Sequence, residues 1–115
     1  MSKMLIMLLT RKDNINTEMV SFSFTFDAVR HARATVEFLF LGRGVRAANE
    51  NQKGSPQFPE QIDLLKKEGI PVKIWKASMA GERLSEKDIF PGIEMVLGDV
   101  ETKTRIEDGY SILAF

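Results

Sequence analysis

Short, uninterrupted apolar runs alternate along this chain with polar stretches of helical period. In Lys3–Thr10 the run Met4-Leu5-Ile6-Met7-Leu8-Leu9 has no polar break, the pattern of a strand buried on both faces of a parallel sheet. Arg11 to Thr17 is polar and holds the turn formers Asp13, Asn14 and Asn16, with Asn16 or Thr17 placed to cap a helix. Phe22, Phe24 and Phe26 alternate with Ser21, Ser23 and Thr25, which locally imitates a strand. Met19, Phe22, Phe26, Val29 and Arg33 nevertheless fall at helical spacing, and the tail Ala28 to Ala34 favours a helix. The pattern therefore predicts one from about Glu18 to Ala34. Phe24 then lies off the main stripe, facing a second apolar layer or a subunit partner.

Val36–Leu41 reads as a second strand, stopped by Gly42-Arg43-Gly44 and followed by a short helix from Val45 to Glu50. Asn49 to Phe58 is rich in turn formers and predicts a surface loop. Pro59 suits the first turn of a helix reaching Glu68, with Ile62 and Leu65 inward and Gly69 as its stop. Val72–Trp75 is a third strand, and Lys76–Arg83 reads as a loop. Ser85 and Asp88 form a capping-box-like start to a turn of helix that ends at Pro91-Gly92, and Ile93–Leu97 is a short fourth strand. Asp99 can cap a helix from Val100 to Asp108, Gly109 closes it, and Tyr110–Phe115 is the last strand. This alternation predicts the α/β class: a three-layer α/β/α sandwich around a five-stranded, mainly parallel sheet, with residues 1–115 as a single domain.

Composition narrows the choice of function. The 115 residues are 43% hydrophobic and 28% charged, an ordinary globular balance. The 16 basic and 16 acidic side chains cancel and no Lys/Arg run occurs, so nucleic acid is not an expected partner. No apolar stretch approaches the ~20 residues of a membrane span. The opening run is too brief for a signal peptide, which makes the cytoplasm the expected location. The chain has no cysteine, which excludes disulfides, thiolate metal sites and cysteine nucleophiles. His31 is the one histidine, a thin inventory for zinc, and no cofactor is indicated.

Several segments, in order, carry a family resemblance: Leu5 to Leu9, Val36 to Val45, Leu64 to Ile74, Gly92-Ile93-Glu94 and the closing Ile112-Leu113-Ala114-Phe115. Together they resemble the DsrE/DsrF-like family of small sulfur-relay proteins over nearly the whole chain. Active members are known for a reactive cysteine in the loop after the third strand, which accepts and passes on a persulfide sulfur. Some carry cysteines where this chain has Trp75 and Ser78. A persulfide needs a thiolate, which neither a serine hydroxyl nor a thioether replaces. The resemblance thus implies the fold and a homo-oligomer (trimer or hexamer), or a place beside a cysteine-bearing family partner, without the sulfur-carrier step.

Ligands of open parallel sheets bind beyond the carboxyl ends of the strands. Here those ends are Thr10-Arg11, Gly42-Arg43-Gly44 and Lys76-Ala77-Ser78. The candidate ligand-binding residues are Arg11, Gly42, Arg43, Gly44, Ser78 and Glu82. A guanidinium between two glycines can hold a carboxylate or phosphate with two hydrogen bonds, although the same tripeptide also serves as a tight turn. A serine nucleophile at Ser78 would need a positioned base, and His31 reads as a partly exposed residue favoured by a helix dipole. Trp75 lines an apolar pocket, packs on another subunit or plugs the space of the missing thiol. With Phe24, and with Met79 in the expected exposed loop, it is a candidate interface residue; Met4, Met7, Met19 and Met95 read as core. Glu82, Glu86 and Asp88 match no metal-binding spacing. Two functions follow. One is a non-catalytic or regulatory oligomeric subunit that binds a small anion or protein partner. The other is a small-molecule enzyme using Arg43, Ser78 and Glu82 in the strand-end cleft.

Overall fold

The computed structural model describes residues 2–10, 14–51 and 57–115. Five strands, β1 (Lys3–Leu8), β2 (Thr35–Phe40), β3 (Val72–Trp75), β4 (Glu94–Val96) and β5 (Ser111–Ala114), form one sheet in the order β4-β3-β2-β1-β5. Each neighbouring pair is parallel. Helices α1 (Ile15–Arg30), α2 (Gln57–Lys67), α3 (Lys76–Gly81) and α4 (Gly98–Glu107) connect them, together with 3-10 segments at Gly42–Ala48 and Glu86–Asp88. The expected α/β/α sandwich is the fold observed.

The layers follow from which way each strand residue points, since successive side chains face opposite sides. Ile6, Leu8, Val36, Phe38 and Phe40 join one core with Phe22 and Phe26 of α1 and with Ile62 and Leu65 of α2. Leu5, Met7 and Leu39 point the other way into a smaller cluster with Leu41, Val96 and Tyr110. The steps from β1 to β2, β3 and β4 all run in one direction across the sheet. Right-handed crossovers therefore put their helices on the same face. β5 returns past β3, β2 and β1, and the same handedness sends α4 over the opposite face.

The larger core is aromatic. Phe22 stacks on Phe38 with centroids 5.2 Å apart and lies 6.5 and 6.2 Å from Phe40 and Phe58. The alternating Ser-Phe run is helical because Phe22 and Phe26, four residues apart, both reach this core. Ser21 and Thr25 are buried beside them, their hydroxyls donating to the Glu18 and Ser21 carbonyls at 2.6 and 2.8 Å.

Several boundaries differ from the sequence reading. The cap of α1 is Asn14, whose side chain accepts from the Thr17 N–H at 3.3 Å, in place of Asn16 or Thr17. The helix ends at Arg30 as the chain turns through Arg33 at φ 54°, with the Ala34 N–H donating to the Ala28 carbonyl. Phe58 belongs to α2 and is fully buried, where a surface loop was expected; 52–56 lie outside the described residues. The expected loop over 76–83 is largely α3. Met79, only 2% exposed, anchors it in the core and so is not the exposed contact anticipated for it. The Ser85–Asp88 capping box forms as read, and α4 is preceded by Leu97 at its cap position, with Asp99 inside the first turn. No helix among the described residues is long and apolar enough to cross a membrane.

Phe22 sits where α1, α2 and β2 meet, so Phe22→Ala is expected to cost about 3–5 kcal/mol in urea unfolding. Phe24→Ala, which removes only a half-exposed ring from Phe115 at 5.8 Å, should cost about 1 kcal/mol. Equal costs would contradict this assignment of the helix faces.

Candidate functional site

The turn after β2 is shaped by its glycines. Gly42 adopts φ +55°, the left-handed region that glycine occupies most easily. At Gly44 a Cβ would overlap the Leu8 carbonyl, so the chain passes this close to β1 only without a side chain. The Leu41 N–H donates to that same Leu8 oxygen at 3.1 Å. Gly44→Ala should therefore cost about 3 kcal/mol or more in unfolding, against about 1 kcal/mol for Gly42→Ala, which meets no steric obstacle.

Two of the expected site residues meet directly. The Gly42 N–H donates to Ser78 Oγ at 2.8 Å, tying the end of β2 to the middle of α3. Glu82, at the end of α3, accepts from Arg46 Nε at 2.9 Å. The Arg43 side chain is exposed and makes no hydrogen bond or ion pair among the described residues. Arg11 lies outside the described residues. His31 is not part of this cluster. It follows the last turn of α1 at the amino ends of the strands, exposed and 3.8 Å from Asp27, while Ser78 stands beyond the carboxyl end of β3. The sheet height of roughly 20 Å separates them.

Trp75 closes β3 on the second face. Its ring lies over Gly98, where a Cβ would come within 2.6 Å of it. Beside them runs an open groove of about 490 Å³ walled by Leu41, Trp75, Gly98, Thr102 and Ile106.

Beneath α4 lies a charge cluster that the sequence reading missed. Lys73 Nζ is 2.7 Å from Glu37 Oε1 and forms an ion pair with Glu101, with Glu94 further off at 3.9 Å. Glu37 is buried on β2 in the centre of the sheet, and its Oε2 accepts no hydrogen bond among the described residues. Burial raises its pKa, opposed by Lys73, and the adjacent Glu101 carboxylate raises it further. For Glu101, burial is outweighed by the hydrogen bonds from Lys73 and Glu37, and its pKa is lowered. Lys73 is likewise held above its usual value, because its two carboxylate partners outweigh burial. Of the two carboxyls, Glu37 is thus the one whose surroundings favour the protonated form, and Glu101 the one held toward the ionised form against Lys73. The sequence signal was a single charge of opposite sign inside each of two neighbouring apolar strands.

The raised pKa sets the sign of a pH dependence. Folded Glu37 binds its proton more tightly than the unfolded chain does. Its contribution to stability is full below the ordinary value of 4.5 and is lost as pH rises through the folded value. Glu37→Gln should remove this decline from urea-unfolding curves collected upward from pH 4, and an unchanged slope would contradict the assignment.

Solved structures with the same fold support the architecture. The protein of unknown function MTH1491 from Methanobacterium thermoautotrophicum superposes with a TM-score of 0.82 at 12% identity, covering 100% of both chains. The ychN protein from E. coli gives 0.79 at 18% identity, again over 100% of both. BT1422 from Bacteroides thetaiotaomicron, also of unknown function, gives 0.72 at 15% identity over 96% of this chain and 94% of that one. No curated protein matches the chain significantly in sequence. The model of the DsrE/DsrF-like family matches residues 4–115, and with the parallel five-stranded sheet and its strand-end turn in place, the chain belongs to that family.

Proposed function

We propose that this chain is a non-catalytic, oligomeric subunit related to sulfur relay, holding a small anion or a protein partner at the carboxyl ends of its strands. The observation that carries the reading is the Ser78–Gly42 hydrogen bond. Where some family members carry a thiol, this chain has a hydroxyl engaged in fixing a turn, and it has no cysteine anywhere. A hydroxyl without a base is a poor nucleophile, and Glu82 is engaged by Arg46 while His31 stands at the far end of the sheet. Arg43 projects from the fixed turn with its donors unengaged among the described residues, an arrangement suited to binding a carboxylate or phosphate.

Assembly as a trimer or hexamer is supported by the apolar side chains around the edge strand β5. Leu9, Phe24 and Ile112 are 41%, 37% and 37% exposed there. The outer backbone of β5 is also open to pairing. Trp75, at the groove, is a further contact candidate.

Native mass spectrometry of the protein purified gently from its own cells tests both parts. The expected result is a trimer or hexamer of the 13.0 kDa chain carrying a reproducible small mass, with Arg43→Ala retaining the assembly and losing that mass. A mixed complex with a cysteine-bearing relative would recast the chain as an accessory relay subunit. A bare monomer would overturn the assembly.

A further inference from the structure

We infer that α4 is a strap over the second face of the sheet, one that opens as a unit while the rest of the fold stays intact, with Lys73 as the bolt that closes it. The handedness of the crossovers leaves this face with α4 as its helical cover. A helix in that position would ordinarily turn an apolar stripe inward. Here the polarity is reversed. The residues turned toward the sheet are Gly98, Glu101, Thr102 and Arg105, whereas Val100 and Ile106 are each 55% exposed. Among the described residues of α4, Gly98 alone is buried. By contrast, α1 buries Phe22, Phe26 and Ala28 along with three polar residues.

What joins α4 to the body of the sheet is correspondingly local. Gly98 rests on the Trp75 ring at the helix start. One turn further on, Glu101 is paired with Lys73, which also holds Glu37. Arg105 turns to Tyr110, its guanidinium 5.4 Å from the ring centre, and to Asp108, both at the helix's own exit, while its charge also bears on Glu37 and Glu101. That exit passes through Gly109 at φ +88°. Beyond it β5 is fixed independently, through its register with β1 and the paired Leu9–Phe115 and Phe115–Met7 backbone bonds of 2.8 Å. The helix can therefore lift between two anchored strands. Opening bares Leu5, Met7 and Leu39, so it is a minor state, reached by breaking one partly buried ion pair, one ring contact and the weaker attraction of Arg105 for Glu37.

Native-state hydrogen exchange under low urea reads this directly, using the amides of residues 102–107, which bond within the helix, against those of β1 and β2. In the wild type the α4 amides should exchange at least about tenfold faster than the strand amides and respond weakly to urea. Glu101→Gln, which removes a contact made only while α4 is closed, should accelerate them by roughly another tenfold and leave them well ahead of the β1 and β2 amides. A triple Glu37→Leu, Lys73→Met, Glu101→Leu variant, in which apolar contacts replace the bolt, should slow them toward the strand rates. If α4 and the strands exchange together in the wild type, or Glu101→Gln leaves the α4 amides at their wild-type rate, the strap is overturned. The wild-type comparison decides even where a variant fails to fold, and its outcome is independent of any ligand at Arg43.

Discussion

The right-handed crossing of parallel strands is the constraint from which the rest of this molecule follows. Three consecutive steps in one direction stack α1, α2 and α3 on a single face, where the Phe22, Phe38, Phe40 and Phe58 rings assemble the main core. A single long return, from β4 past three strands to β5, places α4, alone among the described helices, on the other face. The two faces consequently have different physics. One is dry, aromatic and crowded. The other mixes a small apolar cluster with a buried arrangement of two carboxyls and an ammonium.

Buried ion pairs seldom stabilise a fold more than apolar packing would, because desolvation offsets much of the attraction. Their value lies in position: a charge placed against the wrong neighbour is far costlier than a methyl group so placed. Lys73 fixes where Glu101, and with it α4, sits along the sheet. The groove walled by Trp75 and Ile106 persists beside it because the helix is held by polar contacts and has not collapsed onto the strand side chains.

The strands were legible because their apolar runs are uninterrupted, and α1 because Phe22 and Phe26 outweigh the local Ser-Phe alternation. Its ends were misjudged: Asn14 and Asn16 are equivalent as caps until the chain geometry selects one, and Arg33 is an unusual residue for a left-handed turn. The helix α3 was missed because six residues carry little periodicity, and its reason for existing is the tertiary contact of one methionine. Phe58 was assigned to a loop by its neighbours Gly54, Ser55 and Pro56, while its own side chain seeks the core. At the strand ends, Gly42, Arg43, Gly44 and Ser78 could be read from turn chemistry. That Ser78 would serve the Gly42 N–H could not, since the two are 36 residues apart in sequence. The pairing of Lys73 with Glu37 was open to the same long-range ambiguity.

The chain has one tryptophan and one tyrosine, and the fold sets them at opposite ends of the same helix. Trp75 lies under the first residue of α4 and Tyr110 just past its last turn, beside the Arg105 guanidinium. Ten helical residues span about 15 Å. The molecule thus contains a native optical ruler: a phenol donor and an indole acceptor bracket α4, with no competing chromophore of either kind. Their energy transfer, and the colour of the indole emission, respond to the distance and wetting of that one element.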